Sequence, residues 1–78
     1  MKVKLTKENI NDFLLKTLSY DEAIYLNDKY NAKSLFSLMN LNLPQEFNIE
    51  IKASFDYIKT KFERDMEEFK AWRLIHYP

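Results

Sequence analysis

From Phe47 onward the apolar residues recur at helical spacing. Phe47, Ile51, Phe55, Ile58, Phe62, Met66 and Phe69 are separated by four, four, three, four, four and three positions. Those gaps average close to 3.6 and lay one continuous apolar stripe along a helix. Trp72 and Ile75 extend the stripe, and Pro44 suits its first turn, where the missing N–H has no partner to lose. The spacing therefore predicts one long helix over residues 44–76. At 1.5 Å per residue it would measure about 50 Å, far longer than a 78-residue domain is wide.

Three shorter helices are predicted before it. Thr6 is a candidate cap for a helix from Lys7 to Thr17, whose inner face carries Ile10, Phe13, Leu14 and Leu18. Ser19-Tyr20-Asp21-Glu22 has the hydroxyl and carboxylate of a capping box. It predicts a second helix over Asp21–Tyr30, buried through Ala23, Leu26 and Tyr30 and closed at Asn31. A third, over Lys33–Met39, would bury Leu35, Phe36, Leu38 and Met39. The expected fold class is all-α: one domain over residues 1–78, with three short helices and one long C-terminal helix.

One segment supports a competing reading. Phe47-Asn48-Ile49-Glu50-Ile51 alternates as a half-buried strand does, and Val3 and Leu5 alternate likewise. Ile49 opposes Phe47 and Ile51 on a helix but shares their face on a strand. The alternative is an α+β fold with a two-stranded pair, residues 2–5 against 47–51, and the last helix beginning near Ala53.

Composition narrows function mainly by exclusion. The chain has no glycine, so phosphate-binding loops, dinucleotide fingerprints and nucleophile elbows are absent. It has no cysteine, hence no disulfide and no thiolate. The single histidine, His76, excludes sites built on two imidazoles. The carboxylates Glu63, Asp65, Glu67 and Glu68 lack the Glu-x-x-His pattern of helical di-metal sites and read as a solvated helix face. Neither a catalytic residue nor a cofactor or metal site is expected, and the expectation is a non-enzyme.

Twelve basic and twelve acidic residues cancel. Duplex binders usually concentrate cations, because their affinity rests on neutralising phosphates. A helix-turn-helix over residues 21–39 is the nucleic-acid alternative, with Lys33, Ser34 and Ser37 as its polar contacts. No apolar run is long enough to span a membrane, and the N-terminus lacks a signal-peptide pattern, so a cytoplasmic protein is expected. Ten lysines to two arginines, with seven asparagines and six isoleucines, fit AT-rich coding, as in a low-GC bacterium, a phage or a mobile element.

What remains is binding. Tyr and Trp lose little conformational entropy for the area they bury, and with Arg they dominate interface hot spots. The expected protein-binding residues are Trp72, Arg73, Ile75 and Tyr77 in the C-terminal run, with Tyr25 and Tyr57, which fall off the predicted stripes. The expected function is a protein-binding module that inhibits or adapts a larger protein. A structural homodimer through the long C-terminal helix is a further alternative.

Overall fold

Phe47, Ile49 and Ile51 all point into the core while Glu46, Asn48 and Glu50 face solvent, so residues 45–51 follow the period of two. The computed structural model describes residues 1–71. In chain order they form β1 (Lys2–Leu5), α1 (Ile10–Leu18), β2 (Ile24–Leu26), β3 (Tyr30–Asn31), α2 (Leu35–Met39), β4 (Gln45–Ile51) and α3 (Asp56–Asp65), followed by a single 3₁₀ turn, Glu67–Phe69. The strands make one antiparallel sheet in the order β1-β4-β2-β3.

The all-α expectation is therefore overturned: the fold is α+β, with a four-stranded antiparallel sheet and three helices. The long helix over 44–76 is replaced, within the described residues, by β4, a loop, the ten-residue α3 and the 3₁₀ turn. The reason lies in the gaps. A spacing of four keeps two residues on one face of a helix and also on one face of a strand, so Phe47 and Ile51 satisfy both. Ile49 decides the matter: at 5% exposure it shares the buried face. The pairing of residues 2–5 with this segment is present, Val3 opposite Phe47 and Leu5 opposite Gln45. It is no isolated pair, because β2 hydrogen-bonds to the other side of β4, with Leu26 opposite Ile49.

The second expected helix is also corrected, since Ile24–Leu26 is a strand and Tyr30–Asn31 its hairpin partner. Two local causes are visible. Asn27 and Asp28 take φ of 54° and 55°, and the Lys29 amide donates to the Leu26 carbonyl at 3.0 Å. Two successive left-handed residues inside such a bond make the mirror-image turn that suits a hairpin. In a chain without glycine, Asn and Asp tolerate that conformation best. Second, the Lys33 ammonium donates to the Tyr20 carbonyl and, at 3.1 Å, to the Glu22 carbonyl. Those carbonyls are thereby taken from a helical ladder. The Ser19 hydroxyl, expected to cap forward, donates back to the Lys16 carbonyl at 2.6 Å.

Thr6 does act at the start of α1. Its hydroxyl accepts from the Asn9 amide at 3.1 Å while Asn9 Oδ1 accepts from the Thr6 amide at 2.8 Å. This reciprocal pairing satisfies two donors that have no helical partner.

The core lies between one face of the sheet and the helices α1 and α3. Val3, Leu5, Ile24, Leu26, Phe47 and Ile49 meet Phe13, Phe62, Met66 and Phe69. Phe13 and Phe69 pack edge to face at 5.4 Å, as do Tyr20 and Phe62. Each such pair contributes about 0.5–1.5 kcal/mol beyond area burial. After the 3₁₀ turn, Lys70 pairs with Val3 and covers part of the outer edge of β1. The opposite edge is β3, only two residues long. Both devices shorten the unpaired backbone that makes sheet edges prone to association.

Candidate protein-docking surface

α2 is where burial departs most from expectation. Ser34 caps it, its hydroxyl accepting from the Ser37 amide at 3.3 Å. Of its apolar residues only Leu38 is buried. Leu35, Phe36 and Met39 are 53%, 81% and 71% exposed, although all three were expected in the core. A five-residue helix has room for one inward anchor, and its other apolar side chains must point elsewhere.

Leu35 and Met39 border a hollow of about 270 Å³ between α1 and α2, and Phe36 stands outside it. Ile10, Asn11 and Leu14 form the α1 wall, and Leu35, Leu38 and Met39 the α2 wall. Leu41 and Leu43, on the way to β4, close one side, and Lys7 supplies the single charge. α1 adds to the apolar surface, since Leu15 and Leu18 are 67% and 52% exposed. Phe13 and Thr17 turn to the core, so the apolar arc of α1 is wider than the core can cover. α1 is tied to the chain just ahead of α2 by Thr17. Its fully buried hydroxyl lies 2.8 Å from the Ala32 carbonyl and 2.9 Å from that of Leu14, and donates to one at a time. That tie holds the segment leading into α2 against α1.

A second, smaller apolar feature stands at the start of α3. Phe55 and Tyr57 are both largely exposed and stack on each other at 5.7 Å. Tyr57 is thus at the surface, as a binding residue must be, whereas Phe55 was expected inside. Tyr25 is half-buried on the open face of the sheet, between Glu50 and Asn31 on the flanking strands. α3 packs on the other face, so the structure does not bring Tyr25 and Tyr57 together. Trp72, Arg73, Ile75 and Tyr77 lie outside the described residues, as does His76.

One cluster of titratable groups, Tyr20, Lys61 and Asp65, is engaged in holding the fold. Tyr20 donates to Asp65 Oδ2 at 2.6 Å, and Lys61 donates to the same oxygen at 2.9 Å while lying over the Tyr20 ring. Burial, and then the bond to Asp65, hold the Tyr20 hydroxyl above its ordinary pKa of 10.0. The Tyr20 bond, reinforced by Lys61, holds the Asp65 carboxyl below 3.8. The Lys61 ammonium is held above 10.5 by its bonds to Asp65 and Tyr20. The three side chains pin α3 to the turn after α1. Of the other carboxylates considered above, Glu67 pairs with Lys70 at 3.0 Å and Glu68 with Lys16 at 3.8 Å. Among the described residues no group of three or more His, Cys, Asp or Glu is placed to hold a metal ion. No helix among them is long and apolar enough to cross a membrane.

The helix-turn-helix considered over residues 21–39 is not formed, because its first helix is the β2–β3 hairpin. The exposed apolar surface itself was missed because Leu35, Phe36 and Met39 read from sequence as core. The available signal was length: Ser34 and the Asn40-Leu41-Asn42-Leu43-Pro44 break leave too few turns to bury four large side chains. Comparison with models of protein families, with curated proteins and with solved structures finds no match to this chain.

Proposed function

We propose that this chain is a protein-binding module whose working surface is the α1–α2 hollow with its rims, and that it inhibits or adapts a larger protein by covering part of it. The observation that carries this reading is the exposure of Leu35, Phe36 and Met39 on a helix that buries only Leu38. Covering a large apolar side chain contributes about 1.5–3 kcal/mol, so a partner that covers all three offsets a substantial part of the cost of association. Contiguous apolar surface of this kind marks interaction sites. The hollow alone, at about 270 Å³, lies at the small end of ligand pockets. Its apolar rims extend past it, and a small guest would leave them uncovered. Its lining offers an ammonium and an amide but no carboxylate, hydroxyl or imidazole, which favours binding over catalysis. An intracellular site of action goes with this reading.

The test is quantitative capture from a low-GC bacterial lysate, with nuclease present. The baits are the full chain, a Leu35→Glu/Met39→Glu variant and a Phe55→Glu/Tyr57→Glu variant. A protein held at near-stoichiometric yield by the first and third baits, and lost from the second, is the expected result. Equal capture by all three, or retention that depends on nucleic acid, contradicts the proposal.

A further inference from the structure

Resting on the same surface, we propose that its occupant in the absence of a foreign partner is a second copy of this chain, bound about a two-fold axis with Phe36 of each copy seated in the α1–α2 hollow of the other. A two-fold interface must be self-complementary, carrying both a projection and the recess that receives it. The α2 surface carries both. Phe36 is 81% exposed and does not line the hollow, while its neighbours Leu35 and Met39 do. The recess is aliphatic, with no ring of its own, and Met39 on its rim offers a sulfur that packs well against an aromatic edge.

Size and charge agree with this occupant. Leu15, Leu18, Leu35, Phe36 and Met39 are 67%, 52%, 53%, 81% and 71% exposed; at roughly 150 Å² per large side chain their exposed parts amount to on the order of 500 Å² per copy. Doubled across the axis, that reaches the roughly 1,000 Å² at which specific interfaces begin. Basic and acidic residues are equal in number, so two copies meet without net repulsion. An interface at the lower end of the size range is weak and reversible. Self-association would then shield the surface and give way to a tighter foreign partner.

The experiment is sedimentation equilibrium of the full chain from about 1 µM to 1 mM, alongside Phe36→Asp and Phe55→Asp. Both substitutions fall on exposed side chains, and far-ultraviolet circular dichroism with melting verifies that each variant folds. The expected result is a reversible shift from 9.5 kDa toward twice that mass. Phe36→Asp weakens the dimer at least about tenfold, and Phe55→Asp leaves it within about twofold. A chain that stays monomeric throughout overturns the proposal. So does a dimer that both variants, or neither, disrupt. A monomer that still captures a foreign protein through Leu35 and Met39 defeats only this inference, whereas a Phe36-dependent dimer with no foreign partner defeats only the inhibitor or adaptor reading.

Discussion

Tyr20 packs its ring on Phe62 and spends its hydroxyl on Asp65, so Tyr20→Phe keeps the packing and removes one bond to a charged acceptor. The expected loss is about 1–2 kcal/mol in urea or thermal unfolding. The same change alters the pH profile. The Asp65 carboxyl is held below 3.8, so its contribution is present above that value and is lost as pH falls through the folded value. The Tyr20 and Lys61 groups are held above 10.0 and 10.5, so their contributions are complete below those values and lost as pH rises beyond them. Tyr20→Phe should therefore shallow the acid limb and reduce the alkaline one, where the Lys61–Asp65 pair persists. Unchanged limbs would remove the triad from the account.

Asn27 and Asp28 are the other residues with a disproportionate role. Asn27 joins the sheet twice, its amide donating to the Asn48 carbonyl at 2.7 Å and its Oδ1 accepting from the Asn48 amide at 2.9 Å. Asp28 bears the left-handed backbone, and its charge is a minor contributor to holding Lys52 protonated. Asp28→Gly should thus stabilise by about 0.5–1 kcal/mol, while Asn27→Ala should destabilise by about 1 kcal/mol. Chemical denaturation of the two variants checks both signs.

At the scale of elements, the contest is between periods. The strand at residues 45–51 was legible from Ile49, and its pairing with residues 2–5 from Val3 and Leu5. The hairpin was not, because Ala23, Leu26 and Tyr30 also fit a helix, and the Ser19–Glu22 pattern suggested a cap, whereas the Ser19 hydroxyl donates back to the Lys16 carbonyl and Lys33 takes the Tyr20 and Glu22 carbonyls. Local pattern cannot report a lysine that reaches across eleven or thirteen positions. Tyr57 was legible as an exposed aromatic, though it lies outside the proposed docking surface, whereas Phe36 was hidden by the rule that phenylalanine goes inside. Ile49→Ala separates the two periods energetically. In the sheet it opens a cavity in the core and should cost about 2–4 kcal/mol. On the outer face of a helix it would change stability by less than about 0.5 kcal/mol, a difference that thermal melting resolves easily.

Taken as a whole molecule, the chain covers one face of its sheet with α1 and α3 and leaves the other face polar, with Lys4 opposite Glu46 and Tyr25 opposite Glu50. Most of its exposed large apolar side chains instead lie on α1 and α2, with Phe55 and Tyr57 apart at the start of α3. On the proposed reading, stability and binding are separated in space. Leu35→Glu/Met39→Glu should leave stability within about 1 kcal/mol of the parent while abolishing association. The most direct measurement of that claim is chemical-shift mapping of the ¹⁵N-labelled full chain as it associates, by dilution and with any protein it captures. The account predicts that the shifts concentrate on residues 10–18 and 35–43. Shifts concentrated on Tyr25 and Glu50 of the open sheet face, or on residues 55–57, would contradict it.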